Sequence, residues 1–258
     1  MAIICLSADR QHADRESREL ATRLDGIGID TGIRLWAGES EWYDFDSGDS
    51  GPQTEAAREY VAAVMAPTGR TPLASREALE SSLVGDRTPI AELLPEAREA
   101  AGRRTPGSEA QWAAVRLQKF HTSGRPLTDR DAARLLVALD CIPVRDRLWD
   151  DMSPETAASH VTMWTDLTKR APDDVRAAPA SLLAFASWLS GDGAKAQCAL
   201  DQVPRDSRYF LAGLVAAAIE TTMHPREWES IKRIGQDTDF AAHQPGPQAR
   251  PARSAPGL

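Results

Sequence analysis

The stretch Leu182–Val203, LLAFASWLSGDGAKAQCALDQV, decides the fold. Its apolar residues recur at helical spacing on both sides of a break at Gly191-Asp192-Gly193, which predicts two amphipathic helices packed as a hairpin. A third apolar helix is predicted to open at Asp206 and to continue through Ile219. Stacked helical hairpins usually build binding surfaces, so this stretch favours an interaction protein over an enzyme.

The hairpin has the small residues that a tetratricopeptide repeat (TPR) requires. Ala184, Gly191 and Ala196 fall at the helix crossing and near the turn, where closely packed helices leave little room for side chains. The preceding helices, over 128–170, do not repeat the pattern at a clean period of about 34 residues. A generic helical bundle with close-packed alanines therefore remains the alternative to a repeat array.

Composition and charge exclude several classes of protein. The chain has 258 residues and a net charge of −8, from 30 basic against 38 acidic side chains, which argues against nucleic-acid binding. No apolar run approaches the ~18–20 residues of a membrane span, and the N-terminus lacks the basic region of a signal peptide, so we expect a cytoplasmic protein. Cys5, Cys141 and Cys198 are odd in number and far apart, which argues against disulfides and cysteine-bound zinc.

The N-terminal segment predicts a small parallel sheet. Residues 2–8 read as a buried strand, 13–24 as a helix, 29–36 as a second strand and 41–45 as a short third strand. Strand, helix and strand in close succession form a βαβ unit, whose two strands are parallel. One helix cannot cover both faces of such a sheet. We therefore expect either that later helices cover this sheet or that the chain lacks part of a larger one.

The predicted fold is an α/β N-terminal piece followed by a mainly helical region with TPR-like hairpins. Residues 46–53 read as a polar linker, and residues 88–107 read as a mixed surface segment with Pro89, Pro95 and Pro106 as breakers. Thr128 with Asp131 resembles a capping box at the start of a helix, and Ser153 is the predicted N-cap of a helix that ends at Lys169-Arg170. The predicted parts are an α/β piece over 1–50, a helical linker region over 51–107, a TPR-like bundle over 108–234 and a disordered tail over 235–258.

No catalytic motif of useful specificity is present, and no cofactor is predicted. The loop after the first strand holds Ser7, Asp9 and His12, and it lies at the carboxyl end of a strand, where α/β folds bind ligands. With Trp36 nearby, it is the candidate site for a small ligand. It lacks the glycines of a phosphate cradle, and a polar loop without function is the alternative.

Neither the histidines nor the aromatic residues define a site by their spacing. The five histidines show no metal-binding spacing, so no metal site is predicted: His12, His121, His160, His224 and His243. Tryptophans at helical spacing are mostly core residues, whereas those beside polar segments favour exposed contacts. The candidate partner-binding residues are Trp42, Trp188, Tyr209 and Trp228.

Several blocks of the sequence resemble one known family. They are residues 69–84 (GRTPLASREALESSLV), residues 126–139 (PLTDRDAARLLVAL) with VRDRLW at 144–149, and residues 178–201 (APASLLAFASWLSGDGAKAQCALD). These blocks are similar to an actinobacterial family known as domain of unknown function 4192, over roughly residues 2–224. Family members usually carry a further α/β segment upstream, and many have cysteines where this chain has DFDSGD at 44–49.

The resemblance implies a fold and no catalytic residues, because the family has no assigned activity. The leading hypothesis is a non-enzymatic cytoplasmic interaction module that binds a protein or peptide through the helical region. The alternative is a small-ligand-binding protein or an enzyme that uses the loop Ser7–His12. A third possibility is a chain that needs a partner or a second copy to complete its N-terminal sheet.

Overall fold

The structure is a computed structural model that describes residues 1–65, 73, 75–207 and 209–228. These residues form four strands and eleven α-helices: β1 (Ala2–Leu6), α1 (Arg10–Asp25), β2 (Ile33–Ala37), β3 (Glu41–Asp44), β4 (Ser50–Pro52), α2 (Glu55–Met65), α3 (Arg76–Ser81), α4 (Thr88–Ala101), α5 (Pro106–Ser123), α6 (Asp129–Ala138), α7 (Ile142–Asp150), α8 (Ala157–Arg170), α9 (Ala177–Leu189), α10 (Gly193–Asp201) and α11 (Phe210–Glu220).

The chain divides into two compact units, Met1–Pro72 and Leu73–Leu258. The tail predicted over 235–258 lies outside the described residues. Within the described part of the chain, no helix combines the length and the apolar character that crossing a membrane requires.

The sheet of the first unit is mixed, with strand order β1-β2-β3-β4. β1 and β2 are parallel, as the strand–helix–strand pattern predicts, but β3 and β4 are antiparallel additions. The prediction of a plain linker over 46–53 is wrong, because Ser50–Pro52 folds back on β3 as a fourth strand. The hairpin turn forms because the Asp44 carboxylate accepts hydrogen bonds from the amides of Asp46 (2.8 Å) and Ser47 (3.2 Å).

The second strand begins at Ile33 and not at Ile29. The amide of Ile29 donates to the carbonyl of Leu24 at the end of α1, so this residue still belongs to the helix terminus. Gly28, with φ of 79°, supplies the left-handed turn that releases the chain from the helix.

The two faces of this sheet differ in their burial. Ile3 and Trp36 are buried on the face that α1 covers, where the Cys5 thiol lies 3.7 Å from the carbonyl of Ala13. Side chains alternate along a strand, so Ile4 and Leu6 point to the opposite face. They are 60% and 81% exposed. The first unit therefore presents apolar side chains on its edge strand.

Helix α9 lies at the centre of the second unit. Every residue from Ala178 to Leu189 is buried, and α8, α10 and α11 all pack against this helix. A helix that is apolar on all sides must lie in a core, so the sequence places α9 there. The other helices contribute one apolar face each to the same cluster, which extends from Leu83 to Ala218.

The break between α9 and α10 has the predicted structure. Gly191 adopts a left-handed φ of 77°, which ends α9. The Asp192 carboxylate then accepts from the amide of Lys195 at 2.9 Å and caps α10. The two helices pack directly against each other, with Ala184 and Ala196 fully buried.

The prediction that Pro89 and Pro95 break the segment 88–107 is wrong. Residues 88–101 form the regular helix α4, which buries Ile90 and Leu94 and packs against α6. Pro89 lies in the first helical turn, where an amide hydrogen has no partner to lose. Pro95 has no amide hydrogen to donate to the carbonyl of Ala91, one turn earlier. Both residues are exposed, so water can satisfy this carbonyl.

Two helices begin later than the sequence predicts. Ser153 caps no helix: its hydroxyl accepts from the amide of Thr156 in a turn, and α8 starts at Ala157. Asp206 likewise opens no helix, because the amide of Ser207 donates to the carbonyl of Pro204 in a turn at that point. In contrast, the predicted cap of α6 is confirmed: the Thr128 hydroxyl accepts from the amide of Asp131 at 3.2 Å.

A nearly buried ion pair joins α5 to α6. Both carboxylate oxygens of Glu109 accept from the guanidinium of Arg134, at 3.1 and 2.6 Å. The same guanidinium lies 3.8 Å from the centre of the Trp112 ring. Glu109 has little access to water, so its carboxylate relies on this partner and on Arg104, whose Nε lies 3.6 Å from Oε1.

We expect Glu109→Gln to lower the free energy of unfolding by about 2 kcal/mol, because the substitution leaves the guanidinium without its bidentate acceptor. This is less than the full value for a buried pair, since Arg134 keeps some contact with solvent. Urea denaturation measures the effect. Glu99→Gln is the matched control, because Glu99 pairs with Arg103 on an exposed helix face. Equal losses in the two variants would contradict the prediction.

Candidate functional site

The loop predicted as a ligand site begins α1. The Asp9 carboxylate accepts from the amides of Gln11 and His12, at 2.8 and 3.0 Å, and the Ser7 hydroxyl contacts both backbone polar atoms of Asp9. The hydrogen bond from the His12 amide is the main reason that the pKa of Asp9 lies below its usual value. The hydrogen-bonding capacity of this loop is thus used largely within the loop itself.

Trp36 and His12 lie on different sides of this arrangement. The Trp36 indole is buried and donates to the carbonyl of Ser7 at 2.9 Å, so it fixes the loop against the sheet. The His12 side chain is exposed, and its nearest polar partner is the guanidinium of Arg15, 3.5 Å away. The structure therefore brings Ser7, Asp9 and Trp36 together through backbone contacts.

Two of the aromatic residues that were candidates for partner binding belong to a packed cluster. Trp228 stacks on Trp149 at 5.3 Å and meets the edge of Phe185 at 4.9 Å. Trp188 is buried beside Phe185, and its indole donates to the carbonyl of Met223 at 3.3 Å. These rings hold the end of the described chain against α9.

The other two candidates are closer to solvent. Trp42 is partly exposed on β3, and it packs over Gly51 of β4, where the indole leaves little room for a side chain. Tyr209 is half-buried just before α11, with the guanidinium of Arg145 5.8 Å from its ring. Burial raises the pKa of Tyr209, and Arg145 opposes this rise.

A cluster of ionisable side chains lies where the end of α5, the segment after α7 and the first turns of α8 meet. Nε2 of His121 lies 3.6 Å from Oδ2 of Asp151, and Nε2 of His160 lies 3.5 Å from the same oxygen. The two imidazole rings meet edge to face, 4.7 Å apart. Two imidazoles therefore converge on one carboxylate.

The outer nitrogen of each ring has a different partner. Nδ1 of His121 lies 2.5 Å from the hydroxyl of Ser159. Nδ1 of His160 accepts from the indole nitrogen of Trp164 at 3.3 Å. An indole nitrogen only donates, so the neutral His160 ring carries its proton on Nε2, directed at Asp151.

Burial determines the charge of His160. Its side chain is fully buried, whereas the side chains of His121 and Asp151 are 15% and 36% exposed. Desolvation lowers the pKa of His160 to about 4, the neighbouring His121 acts in the same direction, and Asp151 opposes both. His160 is therefore neutral at physiological pH.

Short spacings between histidines do not predict this cluster, because its two histidines are far apart in the sequence. His121 and His160 lie on different helices, and only the packing of α5 near α8 brings them together. One local signal is present in the sequence: His160 and Trp164 are one helical turn apart on the apolar face of α8.

The fold and the cluster define a mainly helical protein with a small mixed sheet and a buried histidine–carboxylate centre. The model of a family described as "Domain of unknown function (DUF4192)" matches residues 2–226. The chain therefore belongs to this family, as the sequence blocks predict. No curated protein and no solved structure matches the chain.

We expect the stability of the protein to fall as the pH decreases from about 6.5 to about 4. The unfolded chain binds a proton on His160 at the higher pKa, so protonation favours unfolding throughout this window. The loss reaches at most about 3 kcal/mol, from ~1.36 kcal/mol for each unit of pKa difference. Urea denaturation in EDTA-containing buffers measures it.

His160→Gln supplies the control for this pH dependence. His121 and Asp151, the ionisable side chains that face His160, both remain in the variant. The slope of stability against pH should therefore become shallower in His160→Gln and should not vanish. An unchanged slope would show that His160 is not the group responsible.

Proposed function

We propose that this protein is a cytoplasmic, non-enzymatic interaction module that binds a protein or peptide through its helical unit. Two large apolar side chains support this proposal, because each is exposed at the start of a helix. Ile142, the first residue of α7, is 60% exposed, and Phe210, the first residue of α11, is 69% exposed. Exposed apolar surface of this kind is typical of contact sites.

One contact connects the starts of these two helices. Arg145, in the first turn of α7, places its guanidinium over the ring of Tyr209, which directly precedes α11. Phe210 directly follows Tyr209 in the chain, and Ile142 lies one helical turn before Arg145. Arg145 also donates to Asp146, so charged groups accompany the apolar ones. An apolar centre with a polar rim is the usual composition of a protein interface.

The packing around α9 supports the TPR-like character of this module. Helices α9 and α10 form a hairpin around a left-handed glycine, and buried alanines allow their close approach. Rigid helix pairs hold side chains at their ends in fixed positions, which suits recognition by shape. The alternative of a small-ligand site at Ser7–His12 has less support, because the Asp9 carboxylate already accepts two amide hydrogens.

We expect the double variant Ile142→Asp and Phe210→Asp to lose at least tenfold in affinity for a partner identified by proximity labelling in cells, because it places charge on an apolar contact. The affinity is measured with the purified partner. Val84→Asp is the matched control, since Val84 is an exposed apolar residue elsewhere on the unit. Equal binding of the double variant and the wild type would contradict the proposal.

A second candidate function is strand addition at the edge of the N-terminal sheet. β1 lies at the end of the strand order and carries the exposed Ile4 and Leu6. None of the described strands pairs with the outer edge of β1, so an extended segment of a protein partner could pair there and cover these side chains.

The double variant Ile4→Lys and Leu6→Lys tests this candidate. We expect it to abolish binding of a partner that adds a strand and to preserve binding of a partner that contacts Ile142 and Phe210, because lysines block edge pairing. Each double variant is thus the control for the other. A partner lost from the lysine variant alone would support the sheet edge, and a partner retained by it would exclude this edge as the binding site.

A further inference from the structure

We propose that His121, Asp151 and His160 form a binding site for a divalent metal ion of the zinc class. The ligands are Nε2 of each imidazole and one carboxylate oxygen of Asp151. The site goes beyond the proposed interaction function, since it lies inside the helical unit and does not involve Ile142 or Phe210.

The distances fit a metal better than they fit hydrogen bonds. The two Nε2–Oδ2 separations are 3.6 and 3.5 Å, at or beyond the limit of a hydrogen bond. Ligand atoms at ~2.0–2.1 Å from a tetrahedral zinc ion lie about 3.3 Å apart. One potential ligand atom from each of the three residues falls within 4.8 Å of the others. Small side-chain shifts therefore suffice to complete the coordination.

The polar atoms of the cluster point to a ligand. Nε2 of His121 and Nε2 of His160 are both buried without a hydrogen-bond partner, and the His160 side chain is fully buried. Buried polar groups normally have partners, so two unsatisfied nitrogens aimed at one carboxylate require an explanation. A shared cation satisfies both nitrogens and the carboxylate at once.

The donor set selects the class of ion. Imidazole nitrogens suit zinc, cobalt, nickel and copper, whereas magnesium and calcium prefer all-oxygen sites. Three protein ligands leave one tetrahedral position for water. The partial exposure of Asp151 gives the ion and this water a route from solvent.

The Nδ1 atoms of the two histidines have different hydrogen-bond partners, and these partners affect metal binding differently. The Ser159 hydroxyl can accept a hydrogen bond from the Nδ1–H group of His121, the arrangement that usually orients a ligating imidazole. The indole of Trp164 instead donates to Nδ1 of His160. Metal binding must therefore displace the proton on Nε2 of His160, and the neutral ring then carries it on Nδ1.

The hydrogen bond from Trp164 should therefore lower the affinity of the site for a metal ion. When Nδ1 of His160 is protonated, the Trp164 indole loses its acceptor, so the indole opposes metal binding. Trp164→Phe removes the competing donor and keeps an aromatic ring in the core. We expect it to raise the affinity for the metal about fivefold, the equivalent of one ordinary hydrogen bond.

The experiment uses the full chain, stripped with EDTA and desalted, and titrated with Zn²⁺ by calorimetry and with Co²⁺ by absorption spectroscopy. We expect one ion to bind per chain. The Co²⁺ form should show the visible absorption bands of a distorted four-coordinate site. Mg²⁺ and Ca²⁺ should not compete. His121→Gln and Asp151→Asn should each weaken binding at least tenfold. His224→Gln, at an exposed histidine, should bind like the wild type.

Folding is checked independently of binding. His121 and Asp151 have some access to solvent, so their variants should fold even if His160→Gln does not, and circular dichroism measures their helix content. Zn²⁺ should raise the melting temperature of the wild type and of His224→Gln, and not that of His121→Gln. The proposal is overturned if the wild type takes up no stoichiometric ion, or if folded His121→Gln and Asp151→Asn bind as tightly as the wild type.

Discussion

The complete burial of α9 is the constraint on which the helical unit depends. Its apolar side chains from Ala178 to Leu189 point in every direction, so it is stable only when other helices surround it. This stretch also buries two serines, Ser181 and Ser187, and the Ser187 hydroxyl has no hydrogen-bond partner among the described residues. The Ser181 hydroxyl donates to the carbonyl of Ala177 one turn earlier, so the helix itself satisfies it. The positions of α8, α10 and α11 follow from the need to cover α9.

The packing of α8 against α9 also places the histidine cluster. His160, Met163, Trp164 and Leu167 share one face of α8, and all four are buried. Once the apolar members of this face pack against the core, the imidazole must be buried with them. Its nitrogens then need partners from elsewhere, because desolvation penalises unpaired polar atoms. Trp164 supplies the partner of Nδ1, whereas Nε2 faces Asp151 from 3.5 Å without a hydrogen bond.

The sequence predicts the features that depend on local chemistry. The break at Gly191, the cap at Thr128 and the parallel pairing of the first two strands are visible in short windows of sequence. Features that depend on tertiary packing are not visible in such windows. Helix α4 is one example, because its prolines argue against a helix in the sequence. Pro95 is tolerated since it lies on the solvent-facing side of α4, and this exposure is known only from the fold.

The same distinction explains why the loop was predicted as a site and the cluster was not. Ser7, Asp9 and His12 are close in sequence, so their polarity is conspicuous, yet Asp9 is used largely to begin a helix. The convergence of His121 with His160 depends instead on the packing of separate helices, and no local pattern reports it. In a mainly helical fold, short-range polar patterns often describe helix ends, whereas sites inside the bundle are built from long-range contacts.

Helix α7 connects the two regions to which we assign roles. Ile142 begins it beside the Arg145–Tyr209 contact, and Asp151 follows its last residue. Between these ends, Val144 and Leu148 are fully buried, and the helix packs against α5, which carries His121. A nine-residue helix is ~13 Å long and behaves as a rigid element. Contacts that hold Asp151 therefore also restrict the start of the helix, where Ile142 is exposed. The positions of the histidine cluster and of the exposed apolar side chain thus depend on the same helix.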